Sequence, residues 1–314
     1  MTLIRLITLS LTQQFGKQEL KRTPEPSPIT TGIQAVKGYD QALRTKTSLL
    51  YIAIIEQIRR LYDRAAAKTA IELCCGPGFL SVFLAEFLGY TEVLGVDLSP
   101  TMISAAQANA RAAGLTDKIT FQEGDVTKLH SIPSHSFDTA LFSEAAHHLH
   151  DLQMVASVIA EMDRITKPQG LVLISDIARL RTKTLADAYV AYTSNEFLKW
   201  GLNAHLEDFK NTIMAVWTPK ELVTTIPRKS KRRWVAYTCR CLPFYQIIIG
   251  VPEERKEPIF RPIQPDSQNR LLKYLCDIWR RENGEAWTQN TLREWKWFKL
   301  LLLQFPKEVP IPKE

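Results

Sequence analysis

The amino-acid sequence predicts a doubly wound α/β fold, in which helices cover both faces of a largely parallel sheet. The main observation is that short β-rich runs alternate with helical stretches between about residues 70 and 250, an order that implies right-handed crossover connections. The composition agrees, since 45% hydrophobic and 23% charged residues in 314 are ordinary for a globular protein and exclude a disordered or fibrous chain. No run approaches 18 consecutive apolar residues, which excludes a predicted membrane-spanning helix.

Seven strands are predicted, and they account for the whole sheet. Five runs, at 70–73, 92–96, 119–121, 137–142 and 171–175, are separated by helical patterns such as 100–113 and 152–165. The last of these runs follows a predicted turn, Lys-Pro-Gln-Gly, at 167–170. Two further runs, 233–241 and 244–250, are joined by a short connection that suits an antiparallel hairpin. The expected sheet therefore has five or more parallel strands and a terminal hairpin.

The segments around the sheet predict the domain organisation. Alternating prolines at 24, 26 and 28 favour an extended linker, so residues 1–28 are expected to form an N-terminal arm outside the core. The main domain is expected over 29–250, starting with a helix near 40–64 and including a helical lid at 180–222 after the fifth strand. Residues 251–314 combine a proline-rich linker with a helical extension that holds four of the seven tryptophans.

The C-terminal extension has three open interpretations. Its apolar segment 292–303 is too short and too charged at its start to span a bilayer. It is expected to pack on the domain or to form a homodimer, and peripheral contact with a membrane is the alternative.

The cysteines and the N-terminal sequence indicate the cellular compartment in which the protein is expected. The five cysteines, at 74, 75, 239, 241 and 276, form no C-x-x-C pair and match no zinc spacing, so no metal site and no disulfide framework is predicted. The apolar stretch at residues 1–11 contains one basic residue and is followed by no small-residue cleavage pattern. A cytoplasmic protein is the expectation, and a targeting segment is the alternative.

The strongest functional signal is a glycine-containing turn between the first strand and the next helix. In residues 72–78, which read ELCCGPG, Gly76 and Gly78 let a ligand approach the backbone, and the helix start offers free N–H groups. Asp97 ends the second strand, where a carboxylate can accept both ribose hydroxyls of a nucleoside. Asp125 follows the third strand and suits an exocyclic amine. The glycine turn, Asp97 and Asp125 follow three consecutive strands, so they are expected to line one crevice at the same edge of the sheet.

A second cluster follows the fourth strand. Glu144, His147 and His148 lie in the segment SEAAHHLH at 143–150, at the end of the sheet where open α/β folds bind ligands. A histidine with an ordinary pKa of about 6.5 could accept a proton from a substrate, and Glu144 could bind a substrate amine. The alternative is that one histidine hydrogen-bonds the loop while the others are solvated.

These motifs, in this order, resemble those of the class I S-adenosylmethionine-dependent methyltransferases, and most closely the quinone-biosynthesis-like branch (type 11/25). The resemblance covers about 35–250 and implies a Rossmann-like sheet, S-adenosylmethionine as cofactor and methyl transfer as activity. It implies that Glu72 helps hold the methionine amino group, Asp97 the ribose and Asp125 the adenine amine. Cys74 departs from the pattern, because glycine is common at this position of the loop. The cofactor contacts expected from the resemblance are Tyr39, Glu72, Cys74, Gly76, Gly78, Asp97, Leu98, Met102, Asp125, Val126 and Ser143.

The acceptor is predicted by exclusion to be a small organic molecule. Residues 220–233 hold six basic residues and one acid, so +5 of the net charge of +7 lies there. This run could bind a nucleic acid, or it is a solvated loop. The superfamily's Asn/Asp-Pro-Pro-aromatic motif for amine methylation of bases is replaced by SEAA at 143–146, and no cysteine lies nearby. Aromatic residues at 180–222 favour a closed site for an apolar or aromatic acceptor.

Other activities on a similar fold remain as alternatives. A dinucleotide-dependent oxidoreductase shares the strand, the turn and the ribose acid, but Gly-Pro-Gly does not match G-x-G-x-x-G. An enzyme that catalyses attack on the aminobutyl carbon of the same cofactor would release methylthioadenosine. A binding protein would hold the cofactor without turnover. The fold does not decide between these, because site geometry selects the chemistry.

Overall fold

The computed structural model describes residues 11–26, 38, 41, 48–61, 67–199, 203–239, 245–255, 270–303 and 306–312. Tyr39, the proposed cofactor cover, lies outside these residues, as does Trp200 of the lid. Within the described part, no helix is long and apolar enough to cross a membrane.

Strands and helices alternate as predicted. The strands are β1 (Thr69–Leu73), β2 (Glu92–Asp97), β3 (Ile119–Glu123), β4 (Phe137–Ser143), β5 (Thr166–Ile177), β6 (Arg232–Cys239), β7 (Tyr245–Pro252) and β8 (Pro306–Glu308). The helices are α1 (Ser48–Leu61), α2 (Phe79–Phe83, continued by a π-helical turn over Leu84–Leu88), α3 (Pro100–Ala112), α4 (Leu152–Ile165), α5 (Lys183–Lys199), α6 (Asn203–Ala215), α7 (Pro219–Leu222), α8 (Arg270–Asn283) and α9 (Glu285–Leu303).

The sheet has the strand order β3-β2-β1-β4-β5-β7-β6-β8. Strands β1 to β5 are parallel, and β7 pairs antiparallel with both β5 and β6. The doubly wound, Rossmann-like prediction is confirmed. The order reverses between β1 and β4, and open sheets of this kind bind ligands outside the carboxyl ends of the strands at that point.

The predicted number of strands was one too low. The eighth strand, β8, pairs antiparallel with β6 at the edge of the sheet. It has three residues and begins with Pro306, and a proline is compatible with an edge strand but gives no strand signal in a sequence. Strand β8 adds an edge strand to the sheet, and the end of the sheet at which ligands are expected to bind is the same as predicted.

Strand β5 also starts earlier than predicted, because the expected turn at 167–170 belongs to the strand. Arg232 holds this stretch: its guanidinium donates to the carbonyls of Thr166 at 2.9 Å and of Lys167 and Gly170 at 2.8 Å. It also pairs with Asp163 at 2.8 Å. Arg232, one of the six basic residues at 220–233, is therefore a buried structural group and not part of a solvated basic surface.

Two large apolar clusters cover the sheet. One contains residues of α1, α2, α8 and α9, including Trp279 and Trp295 with 0% and 1% of their surface exposed. The other contains residues of α4 and α7 together with Trp217. The helices of the C-terminal extension thus pack on the domain, and two of its four tryptophans are core residues.

The lid helices have a small core of their own. The rings of Phe197 and Phe209 lie 5.4 Å apart, and those of Tyr189 and Phe209 lie 5.9 Å apart. Ile213 and Val216 are fully buried beside them. These aromatic side chains contact one another and form part of the core of this helical segment. That the segment covers the acceptor stays a prediction.

The N-terminal segment does not lie apart from the domain. Gln13 donates to the carbonyl of Arg179 at 3.1 Å, Leu20 packs in the lid core, and the N–H of Thr23 bonds to the carbonyl of Met214 at 2.9 Å. Residues 11–26 therefore form a strap along the lid. The prolines predict an extended conformation, but they carry no information about the surface on which it lies.

Candidate functional site

Asp97 joins the two loops that form the crevice. Its Oδ2 accepts the N–H of Gly76 at 2.8 Å, and its Oδ1 accepts the N–H of Ser99 at 2.9 Å. Parallel pairing of β1 and β2, with Leu73 opposite Val96, places the carboxylate directly beside the loop. Each carboxylate oxygen has more than one acceptor site, so both can still receive the hydroxyls of a ribose.

The loop after β1 uses left-handed backbone at three positions. The φ angles are +55° at Cys74, +51° at Gly76 and +74° at Gly78. A side chain on Gly76 would meet nothing within 4 Å, whereas one on Gly78 would come within 2.7 Å of Phe121 and 2.9 Å of Ala106. Gly76 therefore borders open space suited to a ligand, and Gly78 permits close packing of the helix on the sheet.

The left-handed backbone at Cys74 explains why glycine would fit there. A non-glycine residue in this region is strained by roughly 1–2 kcal/mol. The thiol is also unsuited to nucleophilic chemistry, because burial and then the charges of Asp97, Glu72 and Asp125 raise its pKa. Three carboxylates thus surround this loop.

Glu72 is a buried carboxyl group on β1, with 6% of its surface exposed. It accepts the hydroxyl of Ser81. Burial, opposed by Ser81 and assisted by Asp97, raises the pKa of Glu72 to about 8. Within the described part of the chain this buried carboxyl group has no cationic partner, and such a group favours a positively charged ligand group, such as an ammonium or a sulfonium.

The other residues expected to contact the cofactor lie around the same crevice. Asp125 accepts the N–H and the hydroxyl of Thr127 at 2.9 and 2.6 Å, which lowers its pKa. Met102 and Val126 are buried, while Leu98 is 44% exposed at the mouth. Ser143, at the end of β4, shares a hydrogen bond of 2.8 Å with Ser175.

Glu144 lies at the far side of the crevice with a buried oxygen. Its φ of +51° is strained, and its Oε1 has no hydrogen-bond partner within the described residues. Burial and then Asp176 raise its pKa to about 8. Burial also raises the pKa of Tyr51 and Tyr245, and Glu144 adds to both shifts. Glu144 therefore lies near enough to both phenols to affect their pKa values.

His147 is held by a carboxylate on β5. Its Nδ1 lies 2.8 Å from Asp176 Oδ1, and its N–H bonds to Oδ2 at 3.1 Å. Burial lowers the pKa of His147, but Asp176, Glu25 and Glu144 outweigh burial and raise it to about 9. The hydrogen bond to Asp176 occupies Nδ1, and the raised pKa favours the protonated imidazole. The base role expected for His147 stays a prediction.

The strap brings its own side chains to this loop. Glu25 Oε2 lies 2.5 Å from Nδ1 of His148, and Glu25 Oε1 accepts the hydroxyl of Thr212 at 2.9 Å. Arg22 donates to the carbonyls of Leu149 at 2.7 Å and His147 at 3.1 Å. The strap thereby ties the segment after β4 to the lid.

Sequence reasoning missed four residues of this site: Glu25, Tyr51, Asp176 and Tyr245. Asp176 carries the one usable signal, since it is an acid within the apolar run of β5. Tyr51 of α1 and Tyr245 of β7 lie near enough to Glu144 to be affected by its charge, and Glu25 of the strap contacts His148. Only the tertiary fold brings these three residues to the site.

Comparison with known proteins gives matches to the central part of the chain. Residues 70–170 match the family model described as a methyltransferase domain. A demethylmenaquinone methyltransferase of Desulfitobacterium hafniense is 30% identical over 125 residues, 40% of this chain and 48% of that protein. Ribosomal protein arginine N-methyltransferase rmt3 of Schizosaccharomyces pombe is 34% identical over 119 residues, 38% of this chain and 21% of that protein. The chain thus spans less than half the length of either relative.

A solved structure supports the fold. An O-methyltransferase family protein from Burkholderia thailandensis superposes with a TM-score of 0.51 at 18% identity, covering 69% of this chain and 59% of that one. At this identity the likeness concerns the fold alone.

Proposed function

We propose, from the match of residues 70–170 to a methyltransferase domain, that this chain transfers a methyl group from S-adenosylmethionine to a small organic acceptor. The observation that carries the proposal is the bridge made by Asp97 between Gly76 and Ser99 beside an open loop. This arrangement presents two carboxylate oxygens to a ribose, and it leaves room for the nucleoside.

The residues of the crevice fit the cofactor from end to end. Asp97 would hold the ribose hydroxyls and Asp125 the adenine amine, while buried Glu72 would accept the methionine ammonium. Leu98, Met102 and Val126 would contact the adenine faces. The bound cofactor supplies an activated methyl group on a sulfonium.

The chain's own contribution is alignment and exclusion of water. Methyl transfer is a direct displacement that needs the acceptor atom in line with the methyl carbon, so positioning accounts for much of the rate. Glu144 and Tyr245 are the polar groups suited to orient the acceptor. Glu144 follows β4 and has a buried Oε1, and buried Tyr245 starts β7 opposite the end of β5. His148 would border the same space from the loop. The lid and the strap would close it.

A small acceptor of the quinone or phenol type is the proposal for the substrate. Tyr51, Tyr245 and the unpartnered Glu144 oxygen offer hydrogen bonds to a hydroxyl or carbonyl group in a largely apolar setting. The demethylmenaquinone methyltransferase among the relatives supports this class. An amine acceptor is the second candidate, because a buried carboxyl oxygen that has no partner among the described residues also suits a cationic nitrogen.

Nucleic acid is a weaker alternative on structural grounds. Arg232, one of the six basic residues of the run, has a side chain buried against Asp163 and three backbone carbonyls. It is therefore unavailable to phosphates.

A cytoplasmic location and a homodimer through the C-terminal helices remain proposals, and a dimer would have to use surfaces of α8 and α9 other than Trp279 and Trp295. Peripheral contact with a membrane stays a prediction for the same segment.

The nucleoside product tests the proposed activity. Incubation of the full chain with S-adenosylmethionine and a small-molecule extract should give S-adenosylhomocysteine and a product heavier by one methylene group. A mass spectrum with methylthioadenosine instead would indicate attack on the aminobutyl carbon. The absence of any nucleoside product over an Asp97→Ala control would contradict turnover altogether.

A further inference from the structure

Two histidines and a carboxylate from distant parts of the chain meet beside the lid. Glu25 of the strap, His147 and His148 each offer one ligand atom, and these atoms all lie within 4.8 Å of one another. His147 is buried, and Glu25 and His148 are half-buried. The set combines two imidazoles with one carboxylate, which is the donor set of many zinc sites that keep an open coordination position.

A separate observation outside these three residues points to a ligand. The Nδ1 atom of His147 is held by Asp176 at 2.8 Å, and Asp176 is fully buried. Histidines that bind metals usually donate their second ring N–H to a carboxylate in this way, which fixes the ring and leaves the other nitrogen for the metal. Asp176 therefore orients His147 so that Nε2 is the nitrogen available to a cation.

The surroundings also favour a cation. Glu25 is anchored from its other oxygen by Thr212, and Asp208 lies near enough to Glu25 and both histidines for their charges to affect its pKa. Glu25, Asp176 and Asp208 thus place three carboxyl groups around two imidazoles. Arg22 is the nearby competing charge, but its guanidinium is engaged by the carbonyls of Leu149, His147 and Ala215 and stacks on Trp217.

We propose that Glu25, His147 and His148 bind a divalent transition-metal cation of the zinc type, with Asp176 as the group that positions His147. Binding would replace the hydrogen bond between Glu25 and His148 with two metal–ligand bonds, and a proton would be released. The site would also link the strap to the segment after β4. The proposal does not depend on methyl transfer.

Zinc titration of the full chain tests the site. After treatment with a chelator and buffer exchange, calorimetry should show one Zn²⁺ per chain, and Co²⁺ should give the intense visible absorption of a four-coordinate site. Glu25→Gln and His148→Gln should each weaken zinc at least about tenfold, and Asp176→Asn should weaken it about 10–100-fold. His150→Gln is the matched control, because His150 lies in the same loop with an exposed side chain, and it should bind zinc like the wild type.

The result that overturns the proposal is equally direct. Absence of stoichiometric zinc binding, or equal affinity in the wild type, Glu25→Gln and His148→Gln, would show that the cluster is only a hydrogen-bonded contact. Circular dichroism of each variant identifies a fold defect. The Co²⁺ spectrum of the wild type keeps the proposal testable if a variant fails to fold.

Discussion

Asp97→Ala is expected to weaken the binding of S-adenosylhomocysteine at least about 100-fold. The substitution removes the two acceptors for the ribose hydroxyls, and each hydrogen bond to a charged group contributes about 1.5–3 kcal/mol. It also frees the N–H groups of Gly76 and Ser99, so the loop keeps its backbone bond from Cys75 to Val96 but loses the bond from Gly76 to β2. A loss of about 3 kcal/mol corresponds to about a 100-fold change in Kd, which isothermal titration calorimetry measures directly.

The control for this experiment lies on the same strand. Glu92 starts β2 at the opposite edge of the sheet and is exposed, so Glu92→Ala should leave the affinity unchanged. Asp97→Asn retains one oxygen acceptor and should give an intermediate loss. Equal affinity in Asp97→Ala and the wild type would contradict the assignment of the crevice.

Glu72→Gln is expected to stabilise the free protein at pH 9 and to have little effect at pH 5. The folded state raises the pKa of Glu72 from about 4.5 to about 8, so between these values the folded protein binds more protons than the unfolded chain. The free energy of unfolding therefore falls as the pH rises through this window. A tenfold change in the acid dissociation constant corresponds to about 1.4 kcal/mol, and relaxation of the site reduces the total, so we expect a gain of about 2–4 kcal/mol at pH 9.

Chemical denaturation at several pH values checks this expectation. Glu123→Gln is the control, because Glu123 ends the parallel strand β3 and is exposed, so its stability profile should follow that of the wild type. A wild-type profile parallel to that of Glu72→Gln from pH 5 to pH 9 would contradict the raised pKa. The same variant should bind S-adenosylhomocysteine more weakly, since the carboxyl group proposed to hold the ammonium is gone. Glu72→Gln would thus stabilise the free protein and weaken its binding of the cofactor product.

The sequence predicted the parts of the fold that depend on local pattern. Strands β1 to β4 end within two residues of their expected ends, because apolar runs and turn residues determine them. The crevice residues Gly76 and Asp97 were identified from their position at strand ends, which parallel pairing brings to one edge. The predicted start of β5 was wrong. Pro and Gly at 168 and 170 indicate a turn, whereas hydrogen bonds from Arg232 keep this stretch extended.

The acceptor end of the site could not be predicted in the same way. Glu144 and His147 were expected there, but their pKa values depend on burial and on Asp176, which comes from another strand. The contacts of the strap could not be predicted either. The sequence around residues 24–28 indicates an extended segment, but it does not indicate which residues Glu25 contacts. Long-range contacts of single polar side chains leave no periodic pattern in a sequence.

A crystal structure of the full chain with S-adenosylhomocysteine tests the central claim most directly. We expect the nucleoside at the carboxyl ends of β1, β2 and β3, with both ribose hydroxyls at hydrogen-bond distance of about 2.5–3.0 Å from Asp97, the adenine beside Asp125, and the ammonium near Glu72. A nucleoside bound elsewhere on the chain, or with its ribose turned away from Asp97, would contradict it.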